Sequence, residues 1–361
     1  MSISPSVLKV DTTNNRVGIN NTSPATALDV AGNIKDSNGY HSAYGWRNHV
    51  INGAFDVWQR GDTFSSPAAN SYNADRWWVS YNNTGATRTT SRQSFGTSAI
   101  SGAEADYFLR HSVSGGSGGT YELVGTKIEN ARTLAGKTCT LSFWAKASTA
   151  MTLNTLDIER YFNGSTTDYT TVASSTSITT SWQRFSFTFN MPTTNGKTIG
   201  ANNFVHIRMI WNPNQTLAFD LWGMQLEAGS VATPFEHRPI NIELPMCQRY
   251  YFPWATAGAD WQMIATRYST TGTVLNVTTP VAMRATPVVV RFGTGWGRIV
   301  GYDSSFNVTT AAASNVYMAG SSPNLHEHHI VVITDAMGGT YFRESFDTAG
   351  YSCNFGLEAE L

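Results

Sequence analysis

Apolar and polar positions alternate along much of this chain. In TLSFWAKAS, Leu141, Phe143 and Ala145 fall on one face, and in WQRFSFTFNM Phe185, Phe187 and Phe189 do the same. A period of two is the signature of a strand with one buried face. The segments HVINGAFDVW, RWWVSY, TYELVGTKI, KTCTLSFWAKAS, TLDIERYF, SWQRFSFTFNM, FVHIRMIW and AFDLWGMQLEAG all read as strands, separated by Gly, Asn, Ser and Thr clusters. Eight such strands without a convincing amphipathic helix predict a β-sandwich of the jelly-roll type over residues 46–240.

The flanks differ. Residues 1–45 hold VLKVDTTNNRVGIN, two short strands around an Asn-Asn turn, and ALDVAGNI, a third. So short a segment needs partner chains or a following domain to bury an apolar face. Residues 241–361 open on the best helix candidate, ELPMCQRYYF, after a short link at Pro239 and Pro245. They then return to strands such as TVLNVTTPVAM, PVVVRF and HIVVITDA, a second, small β-domain. The fold class is all-β.

Composition narrows the function. Lys and Arg number 24 against 25 Asp and Glu, so the chain lacks the basic field that nucleic acid requires. Aromatics at 12% with little net charge exclude disorder. Cys139, Cys247 and Cys353 are scattered and odd in number, without a Cys-x-x-Cys pair, so they indicate neither a disulfide scaffold nor a zinc site. The N-terminus lacks the features of a signal peptide, and no apolar run reaches membrane-spanning length. Synthesis in a cytoplasm and no membrane insertion are the expectations.

Several motifs resemble a known family. NHVINGAFDVWQRGDTF…NSYNADRWW resembles the start of the carbohydrate-binding-module-like domain of bacteriophage tail fibres. AFDLWGMQLEAGSVATPFEHRP followed by ELPMCQRYYF resembles the closing strand and junction of the same proteins. NNRVGINNTSPATALDVAGNI is similar to the strand unit of phage fibre and adhesin shafts, with Asn20 where that pattern has its second Gly. PVAMRATPVV is also frequent in such fibres after the junction.

The resemblance implies a virion fibre or spike subunit, assembled in the host cytoplasm, usually a homotrimer. Its N-terminus would join other tail or baseplate proteins, and its body would adhere to host cell-surface glycans. The competing reading is a purely structural virion component without a receptor.

The resemblance also implies that Asp56, after the opening N-G-x-F, and Asp220, on the last sandwich strand, share a structural calcium ion. Two carboxylates with loop carbonyls would meet its demand for oxygen ligands. The alternative for Asp56 is a hydrogen-bonded place at a sheet edge. Phe55 and Trp58 read as core and clasp, so NGAFDVWQRGDTF is mainly structural.

Trp77 and Trp78 must point to opposite faces of their strand, one into the core and the other partly exposed. An exposed ring is a platform for the apolar face of a sugar, which makes Trp78 a candidate ligand contact. In the C-terminal domain the candidates are Trp254, Trp261, Tyr268, Trp296 and Tyr302, with Gly-flanked Trp296 foremost because fibres carry receptor contacts distally; the alternative is a trimer interface. His326 and His328 share a strand face and are a candidate metal pair on a threefold axis.

Enzyme readings lack a frame. Glu122 with Glu129, or Asp157 with Glu159, are the carboxylate pairs a glycosidase would need. No G-x-S-x-G, H-E-x-x-H or phosphate loop occurs, and GGSGG at 115–119 reads as a flexible loop. The chain is read as a non-catalytic binder.

Overall fold

Two six-stranded antiparallel sheets face each other across residues 63–228 of the computed structural model. The described residues are 8–25, 27–30, 34–36, 39–41, 46–96, 100, 105–255, 263–267, 272–293, 298–302, 308–321, 327–334, 343–347 and 353–361. The first sheet runs in the order Gln183–Asn190, Thr138–Ala147, Leu217–Ala228, Tyr107–Ser114, Thr87–Ser94 and Thr63–Ser65. The second runs Asp168–Ile178, Met151–Tyr161, Phe204–Trp211, Glu122–Glu129, Trp77–Tyr81 and Ser71–Tyr72. This is the expected all-β sandwich.

The core is what the alternation predicts. Leu141, Phe143 and Ala145 meet Leu153, Ile158, Ile207, Met209 and Trp211 from the opposite sheet, all buried. Phe189 joins them, and Phe185 and Phe187 pack against their margin. Four strands escape the sequence reading. Thr87–Ser94 and Asp168–Ile178 are built largely of Ser, Thr and charged residues, and Thr63–Ser65 and Ser71–Tyr72 are too short to show a period. Tyr107–Ser114 is a fifth, broken in pattern by Arg110 and His111.

HVINGAFDVW is a correction. It forms a turn-rich loop rather than a strand, because Asn52 and Phe55 both adopt positive φ (56° and 62°). The Asn52 side chain compensates by accepting from Val57 N (3.0 Å) and donating to the carbonyls of Val57 (2.8 Å) and Asp75 (3.0 Å). Phe55 is fully buried against Trp77, and Gly223 N donates to Gly53 O, which ties the loop to the last strand. A Cβ on Gly53 would collide with the Met224 carbonyl. The clasp reading holds.

The N-terminal unit pairs Leu8–Asp11 antiparallel with Arg16–Ile19, which pairs in parallel with Leu28–Val30. Val10 and Leu28 remain more than half exposed on it.

The helix spans Ile240–Gln248, three residues earlier than ELPMCQRYYF suggests, because Tyr251–Ala255 is a strand. Glu243 anchors the helix: Arg238 donates to both its oxygens (2.9 and 2.7 Å), and it accepts from Asn52 N. The link at Pro239 is thus bolted to the opening loop. Beyond it lie a three-stranded sheet (Tyr251–Ala255, Cys353–Glu358, Val288–Gly293) and a closed six-stranded barrel. The end of the described chain returns to the sandwich. Arg60 pairs with Glu358 (3.1 Å) and Glu360 (3.0 Å), Arg76 pairs with Glu360, and Leu361 O accepts from Tyr72 Oη (3.1 Å) and Lys127 Nζ (2.7 Å). Among the described residues no helix is long and apolar enough to cross a membrane.

Candidate functional site

The outer face of the second sheet carries a groove of about 430 Å³. Strand pairing lays out its floor in rows. One row sets Trp78, Gly125, Arg208 and Asp157 side by side, since Gly125 is in register with Trp78 and Arg208, and Arg208 with Asp157. The next holds Lys127, His206 and Glu159. Leu123 between Ser80 and Ile210 forms a third row, and Phe204 closes the end beyond Lys127. Asn70 and Tyr121 form part of the wall.

The period of two explains why these side chains face outward. In FVHIRMIW, Val205, Ile207, Met209 and Trp211 enter the core, leaving Phe204, His206, Arg208 and Ile210 on the outer face. Trp77 is 1% exposed, whereas Trp78 is half-buried in the groove, so the two rings part as their spacing requires.

The polar groups are held in fixed positions. Arg208 donates to both oxygens of Asp157 (2.8 and 2.7 Å), a bidentate pair that orients the guanidinium. His206 Nδ1 meets Glu159 Oε2 at 3.1 Å. Burial lowers the His206 pKa, with Lys127 and Arg208 acting in the same direction against Glu159. Burial pushes the Glu159 carboxyl up, but the His206 hydrogen bond and the nearby positive charges outweigh it and hold it below its usual range. The Lys127 ammonium stands 3.9 Å from the centroid of the Trp78 ring and 4.7 Å from that of Phe204. Burial, aided by Arg76, pushes its pKa down to about 8.

Of the residues singled out from sequence as ligand contacts, only Trp78 is shown in this groove, together with Glu159 of the candidate carboxylate pairs. Trp261, Tyr268, Trp296 and His326 lie outside the described residues. Trp254, Tyr302 and His328 fall in the strands Tyr251–Ala255, Arg298–Tyr302 and Glu327–Thr334, but their side chains lie outside the description. Asp56 and Asp220 have separate partners. Asp220 accepts from Arg110 with both oxygens (2.7 and 2.8 Å), with Lys146 at 3.7 Å, while Asp56 faces His237 at 3.0 Å. A carboxylate flanked by two cations is a poor calcium ligand, and among the described residues no His, Cys, Asp and Glu cluster suits a metal ion. The predicted donor pair does not fit the ion.

The carboxylate pairs also separate. Glu122 and Glu129 are seven residues apart and point to opposite faces: Glu122 is buried with Arg88 and His111, and Glu129 binds Arg249 and Tyr250 outside. Asp157 and Glu159 share the groove side, each engaged as described.

Tyr121, Lys127, Phe204, His206 and Arg208 were not singled out by sequence. The signal lay in the second face of FVHIRMIW and TYELVGTKI, where polar and aromatic residues occupy the positions opposite the core.

Residues 111–201 match the family model described as a carbohydrate binding domain. No curated protein matches the chain. Among solved structures, the family 11 carbohydrate-binding module of a Clostridium thermocellum cellulosomal cellulase is 14% identical, with TM-score 0.28, over 49% of this chain and 98% of its own. The CBM22-1 xylan-binding domain from Paenibacillus barcinonensis Xyn10C is 12% identical, with TM-score 0.31, over 53% and 100%. The enzymatically active domain of bacteriophage CBA120 tailspike protein 4 is 14% identical, with TM-score 0.31, over 50% and 21%.

Proposed function

We propose that this chain is a non-catalytic glycan-binding subunit of a virion fibre or spike, and that the groove beside Trp78 receives a host-surface glycan. The groove itself carries the reading: half-buried aromatic rings beside a guanidinium and a carboxylate that fix one another. Sugars present apolar C–H faces and hydroxyls that both donate and accept, so a ring platform with fixed polar neighbours suits them. The volume falls within the usual range for small-ligand sites. The match of residues 111–201 supports a carbohydrate ligand. The virion setting and the homotrimer rest on the sequence resemblance and on the exposed Val10 and Leu28 of the N-terminal unit. Three weak sites per trimer would act together through avidity.

The test is calorimetric titration of the full chain with β-1,3-1,4-mixed-linked tetrasaccharide, xylan oligosaccharides and β-1,4-galactotriose. At least one ligand is expected to bind. Trp78→Ala should weaken it by about 2 kcal/mol, roughly thirtyfold, with the fold retained. No binding by the wild-type chain, or equal binding by the variant, would overturn the reading.

A further inference from the structure

His206 is 3% exposed, yet its Nε2 has no hydrogen-bond partner among the described residues. A buried polar atom left unpaired forfeits its hydration without return, and native structures rarely carry one without a reason. The ring lines the groove. Nε2 sits over Gly125, where a Cβ would come within 2.7 Å of it and within 2.5 Å of the Ile207 carbonyl. The imidazole edge thus fills the space that a side chain on Gly125 would take, in a row flanked by Trp78 on one side and Arg208 on the other.

The role of Nε2 follows from its neighbours. An ionised Glu159 only accepts hydrogen bonds, so the Nδ1 it contacts must carry the proton. A neutral imidazole protonated at Nδ1 presents a lone pair at Nε2. The charged groups acting on the ring are Glu159 from the strand Met151–Tyr161, Lys127 from Glu122–Glu129 and Arg208 from its own strand. Two cations among three charges disfavour a metal ion or an amine at Nε2. A carboxylate sugar would set acceptor-only oxygens against a lone pair. A hydroxyl remains.

We propose that His206 Nε2 is the acceptor of the groove and takes a hydrogen bond from one hydroxyl of a sugar ring bound in the groove beside Trp78. This assignment rests on the glycan reading above and names the chemistry it selects, a neutral hydroxyl donor.

The experiment is long-range ¹H–¹⁵N NMR of the full, ¹⁵N-histidine-labelled chain, free and saturated with whichever of the three titrated saccharides binds. In the free protein Nδ1 should carry the proton, and on saturation Nε2 should move upfield while staying unprotonated. In parallel, His206→Phe keeps a ring but removes the acceptor, and should bind the same saccharide about tenfold more weakly. One monodeoxy analogue should lose a similar factor against the wild type and nothing against His206→Phe. A proton on Nε2 in the free chain overturns the proposal. So does a folded His206→Phe that binds as tightly as wild type, since the glycan reading then stands and this one falls. If none of the three saccharides binds the wild-type chain, both fall together. Should His206→Phe not fold, the NMR result on the wild-type chain decides alone.

Discussion

The Lys127 ammonium lies 3.9 Å from the Trp78 ring centroid and, from the same nitrogen, donates to the Leu361 carbonyl at 2.7 Å. One side chain thus joins the aromatic platform of the groove to the end of the described chain. Its charge is attracted to the ring face, while its burial opposes that charge.

That conflict sets a pH dependence. The Lys127 pKa is lowered from 10.5 to about 8 in the folded chain. Between those values the unfolded chain binds more protons than the native one, so stability from this group rises with pH across the window. The full shift corresponds to roughly 3 kcal/mol. Urea denaturation at pH 7 and pH 9.5 should show wild type gaining stability relative to Lys127→Met. A constant difference between the two would contradict the burial of the charge.

Glu122 behaves oppositely. It accepts from Arg88 at 2.8 and 2.9 Å and faces His111 Nε2 at 2.9 Å inside the sandwich. Burial raises its pKa, but the Arg88 and His111 bonds outweigh it, so the folded value lies below 4.5. Its contribution is therefore present above pH 4.5 and lost as pH falls through the folded value. Glu122→Ala leaves a buried guanidinium unpaired and should cost about 3–5 kcal/mol by denaturant titration at neutral pH.

Asp220 should be modest by comparison. Its partner Arg110 has a side chain 35% exposed, so Asp220→Ala is expected to cost no more than about 1 kcal/mol. Melting temperature with and without chelator should coincide at neutral pH. A chelator-dependent drop that Asp220→Ala abolishes would restore the shared calcium site.

The proposed homotrimer makes a prediction separate from the sandwich. Removing residues 1–45 should lower the mass measured by light scattering from trimer toward monomer and leave the sandwich folded. A full-length chain that stays monomeric would refute the trimer.

The sequence candidate Trp296 is distinguished from the groove by paired variants. Trp296→Ala should reduce cell adhesion without changing saccharide titration of the groove, whereas Trp78→Ala should affect both. Normal adhesion by Trp296→Ala would leave the groove as the receptor contact.

The sequence by itself determined the strands that bury one face, because a period of two records the core directly. It separated Trp77 from Trp78, and it marked Phe55 and Trp58 as a clasp. It missed Thr87–Ser94 and Asp168–Ile178, where Ser and Thr dominate and no apolar stripe marks the pleat. It also misread HVINGAFDVW, since alternation does not reveal that Asn52 and Phe55 turn through positive φ. The groove was decided only by tertiary structure. Trp78, Gly125, Arg208 and Asp157 come from four strands, and only the register between those strands makes them one row. Alternation says which face a residue takes, but register is a property of pairs of strands, so the neighbours across the sheet could not be read along the chain.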